Sequence, residues 1–115
     1  MEFFNIIEAA PPAQPDKPRP AVKRILQGDG ANLIVFTFSP GHCLPDHRAA
    51  HPITVCSLKG EILFSCGDET VTLSPGSVVH LKEHITHRVD YPADADGDAV
   101  MLLTMLTGER HRPGD

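Results

Sequence analysis

Short clusters rich in Leu, Ile, Val, Thr and Phe are separated along the chain by Gly, Pro, Asn and Asp, a pattern that predicts many short strands and no long helix. Residues 3–8 alternate weakly, and the proline-rich stretch from Ala10 to Pro20 follows, where missing backbone donors exclude an internal sheet position. That stretch predicts an extended arm. Val22 to Gln27 and Asn32 to Ser39 flank a Gly28-Asp29-Gly30 turn and predict a hairpin. After a polar, histidine-bearing passage from His42 to His51, strands are predicted over 53–59, 61–66, 69–73, 78–81, 87–91 and 99–107, with breaks at Gly60, Gly67-Asp68 and Ser74-Pro75-Gly76. This makes about eight strands, at the spacing of sandwiches and barrels.

The last segment, Ala99 to Thr107, is apolar on both parities rather than alternating, so both of its faces need cover. The core covers one. The other requires the N-terminal arm or a second subunit, and on that ground a homodimer is expected. A short helix is the alternative for this segment, and Val100, Thr104 and Thr107 weigh against it.

Composition narrows the range of functions. With 115 residues the chain is one domain's length, large enough to fold without disulfides or a structural metal. The formal net charge is -5, and the densest basic cluster, Lys17, Arg19, Lys23 and Arg24, reads as a solvated segment. Nucleic acid is therefore not an expected partner. Cys43, Cys56 and Cys66 form no C-x-x-C pair and fit a reducing compartment. The N-terminus lacks the pattern of a secretory signal, and no apolar run has the length of a membrane span, so a cytoplasmic protein is expected, with no membrane partner. Asp94-Ala95-Asp96-Gly97-Asp98 imitates the start of a calcium loop, but Ala99 and Met105 stand where glycine and glutamate are required. It reads as an acidic turn.

Six of the 7 histidines fall in two windows, His42, His47 and His51, then His80, His84 and His87. Convergent imidazoles point to a metal or proton-transfer site. Were residues 47–57 extended, His47, His51, Ile53 and Val55 would project to one face. Pro45 and Pro52 bracket the passage, leaving a loop around His51 as the alternative. Cys56 and Cys66 read as small core residues, and Cys43 beside His42 is the better fourth ligand, though a packing role is the simpler reading. His111 reads as solvated.

These passages resemble the two sequence motifs of the cupins. In the first motif a glycine precedes H-x-H by five residues, and a glutamate follows, then six residues and a glycine. Here Gly41 is followed by five residues and His47, and Ile53 holds the glutamate position with six residues between it and Gly60. Gly76 and His87 match the ends of the second motif, with Lys82 and His84 replacing its inner proline and glycine. The resemblance covers residues 40 to 107 and implies an all-β, double-stranded β-helix, a jelly-roll barrel with a ligand pocket at one mouth. With the proline-rich stretch and the strands predicted from Val22 onward, the chain divides into the arm (1–21), the barrel (22–107) and a C-terminal tail (108–115).

The usual cupin ligands are two histidines and a glutamate from the first motif and one histidine from the second. Only His47 and His87 match, since Ala49 and Ile53 replace the other two. The resemblance thus implies either a three-histidine site of His47, His51 and His87 for a divalent metal (Zn, Ni, Fe or Mn), or a barrel without metal whose histidines line a cavity. The expected pocket consists of His47, His51, Ile53, Val55, Phe64 and His87, open to a small polar molecule. The function expected is binding of a metal, a small polar ligand or both, with a metal-free binding or sensing module as the alternative. A third reading is a purely structural dimer, its pocket filled by Phe36, Phe38, Phe64 and leucines.

Overall fold

The structure, a computed structural model, describes residues 1–108, so His111 and all of the predicted tail except Gly108 lie outside the described residues. Two antiparallel sheets face each other. Nine strands are present among the described residues: β1 (Ala21–Gln27), β2 (Ala31–Phe38), β3 (Cys43–His47), β4 (Ile53–Lys59), β5 (Ile62–Cys66), β6 (Glu69–Leu73), β7 (Val78–Leu81), β8 (His87–Asp90) and β9 (Ala99–Leu106). One sheet runs β1-β2-β9-β4-β7 and the other β3-β8-β5-β6. Neighbours are mostly distant in sequence, as in β2 with β9 and β3 with β8, which is the crossed connectivity of a jelly roll.

The inner faces follow strand parity. Phe38 from β2, Ile53 and Val55 from β4, Ala99, Met101 and Leu103 from β9 pack against Ile62 and Phe64 from β5, Leu73 from β6 and Val89 from β8. The hairpin predicted around Gly28-Asp29-Gly30 is the β1–β2 pair, in which Ala21 meets Thr37 and Gln27 meets Asn32.

Two local expectations differ from the structure. Residues 3–8 do not alternate as an extended segment: Asn5 caps a one-turn helix, α1 (Ile6–Ala9), by accepting a hydrogen bond from the Glu8 amide at 3.1 Å. The passage read only as polar contains strand β3. Its pairing with β8 slips between Leu44 and His47, where Pro45 has no N–H to give, and the strand lies at a sheet edge where that loss is tolerated. The segment apolar on both parities is strand β9 and not a helix.

On the outer face of the sheet that holds β2 and β9, the arm of the same chain meets β2. Val35 (0 % exposed), Thr37 and Val100 are buried on that face, and the Thr37 hydroxyl donates to the Pro11 carbonyl at 2.7 Å. Further along the outward side of β9, Leu102 and Thr104 are half-buried and Leu106 is exposed. No helix among the described residues is long and apolar enough to cross a membrane.

Gly60 separates β4 from β5 with φ +83°, and a Cβ built there would lie 2.7 Å from the Ala99 Cβ. Gly67 has φ +62° with open space around it. Gly67→Ala should therefore cost about 1 kcal/mol from its left-handed backbone alone, and Gly60→Ala roughly 2–3 kcal/mol because collision adds to strain. Urea unfolding of the two variants checks the difference, which vanishes if Ala99 yields freely.

Candidate functional site

Strand register places the two cupin-like segments side by side. His47 ends β3 directly opposite His87, which opens β8, and their rings are 4.2 Å apart, edge to face. His87 is buried (3 % exposed) and stacks on Phe64 of β5 at 5.3 Å with 13° between planes, whereas His47 is exposed. The pair therefore spans the wall of the barrel from its interior to its rim.

Each ring is oriented by a carbonyl two residues earlier. His47 Nδ1 donates to the Pro45 oxygen at 2.8 Å, and His87 Nδ1 donates to the Ile85 oxygen at 3.0 Å. A carbonyl only accepts, so the proton sits on Nδ1, leaving Nε2 as the lone-pair nitrogen of each neutral ring. Among the described residues no hydrogen bond reaches either Nε2. Burial pushes the His87 pKa down, partly offset by the Ile85 carbonyl, and the neighbouring His47 pushes it down further.

Beside this pair lies a cleft of about 350 Å³ lined by Arg19, Phe36, Leu44, Pro45, Asp46 and His47. Of the pocket residues expected from sequence, only His47 lines it. His87 is buried against the His47 ring, and Phe64 lines a separate cleft of about 190 Å³ with Cys66, Glu69, Val71, Val79 and Leu81. Ile53 and Val55 are buried in the core, each 1 % exposed, and His51 occupies the half-buried loop between β3 and β4. That loop is tied to the turn before β8, where the His84 amide donates to the Ala49 oxygen at 2.8 Å and His84 takes φ 64°. Phe36 and Leu44 share the inward parity of their strands, a signal available once β3 is recognised. Arg19 carries no such signal, because its place depends on how the arm folds back.

The remaining candidates are dispersed. His42 is buried beneath the arm, and His80 on β7 contacts the Ile53 oxygen at 2.9 Å. Cys43, Cys56 and Cys66 are free thiols. Burial pushes the Cys56 thiol up, a backbone hydrogen bond with Leu102 partly opposing. Among the described residues no group of three His, Cys, Asp or Glu side chains is placed to hold a metal ion. Two imidazoles with Ala49 and Ile53 at the other ligand positions do not fit a resident ion.

The depressed His87 pKa has a consequence for stability. Unfolded, this histidine takes up its proton near 6.5; folded, it does so only at lower pH. Between those two values the unfolded chain binds more protons, so His87's contribution to stability is complete above about 6.5 and is lost as pH falls through the folded value. Following the His87 Cε1–H resonance through an acid titration should give a midpoint below 6.5, and His87→Phe should flatten the acid limb of stability. A midpoint at or above 6.5 contradicts the burial argument.

No protein-family model and no curated protein matches the sequence. Solved structures do match the fold. An uncharacterized conserved protein with a double-stranded beta-helix domain from Klebsiella pneumoniae aligns with a TM-score of 0.78 at 17 % identity over 94 % of this chain and 91 % of that one. A cupin superfamily protein from Desulfitobacterium hafniense gives 0.75 at 19 % identity, covering 92 % of each chain. An RmlC-like cupin from Desulfovibrio desulfuricans gives 0.75 at 24 % identity over 93 % of this chain and 97 % of that one. The fold of this chain is the double-stranded β-helix of the cupins.

Proposed function

We propose that the protein is a small-molecule-binding cupin whose ligand enters the cleft at the barrel mouth and hydrogen-bonds the His47–His87 pair. The observation that carries this reading is the pairing itself: an exposed and a buried imidazole, 4.2 Å apart, each with Nδ1 committed to the backbone. The Nε2 of a neutral ring accepts a hydrogen bond, so the matching ligand group is a hydroxyl or an N–H. Phe36, Leu44 and Pro45 offer an apolar wall, and a volume of about 350 Å³ suits a small metabolite.

A second reading rests on the same tautomer. Nδ1–H held by a carbonyl is how a metal-ligating histidine is oriented, so a divalent ion brought in as a chelate, with most donors supplied by the ligand, also suits this pair. The chain supplies the two nitrogens and the ligand the rest.

NMR titration of the metal-free protein with sugars, polyols and hydroxy acids tests the first reading. At least one such compound should shift the His87 Cε1–H resonance, and His47→Ala should weaken its binding by about tenfold, the loss of one well-formed hydrogen bond. No shift with any compound overturns it. If shifts arise only after addition of Zn, Ni, Mn or ferrous ion, the chelate reading replaces it.

A further inference from the structure

We infer that the N-terminal arm is part of this site, with Arg19 selecting a ligand that carries an oxyanion, a carboxylate or a phosphate, and His42 acting as the residue that positions the arm. The inference rests on the reading of the cleft as a ligand site and adds the class of ligand.

Arg19 is the one basic residue other than histidine in the cleft lining, and it comes from a segment tethered at several points. Pro11 accepts from Thr37 at 2.7 Å, and Lys17 accepts from His42 Nε2 at 2.7 Å. The Gln14 side-chain Nε2 donates to the Arg19 carbonyl at 3.0 Å, and the Gln14 backbone carbonyl accepts from the Lys17 amide at 3.0 Å. Immediately after Arg19, Pro20 is buried and Ala21 begins β1. The backbone of Arg19 is thus fixed from both sides.

His42 is the internal anchor. Its ring is 5 % exposed, accepts the Ser39 amide on Nδ1 at 3.0 Å and donates from Nε2 to Lys17, so both nitrogens are engaged. A buried, fully satisfied imidazole that joins the arm to the β2–β3 turn carries a polar cost that a purely apolar contact would avoid. Placing Arg19 is a use for it.

Charge supports the ligand class. Asp46 lines the cleft as well, and Arg88, the basic residue on β8, is paired with Asp90 at 2.8 Å. Among the described residues the Arg19 side chain makes no ion pair. Its planar guanidinium presents paired N–H donors that match two oxygens of one carboxylate or phosphate, an arrangement an uncharged polyol does not satisfy.

Inorganic phosphate, malonate and the uncharged probe glucose, each titrated against the wild type and variants, provide the test. Arg19→Gln should weaken phosphate, malonate or both by about tenfold, a larger factor than it weakens glucose, with the unfolding midpoint unchanged. Phosphate alone responding identifies a phosphate ligand, and malonate alone a carboxylate. His42→Ala should lower the same anion affinity several-fold and speed amide exchange at Lys17 and Arg19, with His42→Gln, which keeps a donor toward Lys17, restoring part of both. If glucose shifts the His87 resonance while anion binding is absent or insensitive to Arg19→Gln, the role of the arm is overturned and the cleft reading stands. If no probe and no hydroxy compound shifts His87, both fall.

Discussion

β9 must be sheltered on both sides, and that constraint organises the molecule. Ala99, Met101 and Leu103 point into the space between the sheets, and Val100 points to the opposite side, where it is 5 % exposed. Burying an aliphatic side chain of this size contributes on the order of 1.5–3 kcal/mol. The inner residues require the second sheet, and on the outer face of the neighbouring strand β2 the Thr37 hydroxyl holds the arm through Pro11. Because that arm leads on to Arg19 at the cleft, the packing of the sheet also bears on the chemistry at the rim.

The histidine pair depends on a different compromise. Pro45 interrupts the ladder of an edge strand, and the slipped register beyond it sets His47 opposite His87. Its carbonyl, still available, then accepts from the His47 ring. One residue thus weakens the strand and orients the imidazole that ends it. On the neighbouring strand Phe64 supports the buried member of the pair by stacking, so removal of that ring would disturb both core and site.

Much of the fold was legible because its signals are local. The β1–β2 hairpin follows from Gly28-Asp29-Gly30, and the inward face of β4, with Ile53 and Val55, follows from period-two parity. The opposition of His47 and His87 followed from spacing matched to a known motif. β3 was not legible, since Pro45 and Asp46 give it no strand pattern. The α1 turn was hidden for a similar reason, its length being too short for a helical period to show. Arg19 was read as part of a solvated basic segment, yet it lines the cleft, because hydrogen bonds from Thr37 and His42, far along the chain, decide the path of the arm. Tertiary contacts of that kind leave no periodic trace.

The elevated pKa of Cys56 has a practical side. Only the deprotonated sulfur attacks peroxide or another disulfide, and burial favours the protonated form of this one, against the opposing hydrogen bond with Leu102. In an aerated buffer its place on the β4 strand accordingly slows oxidation there.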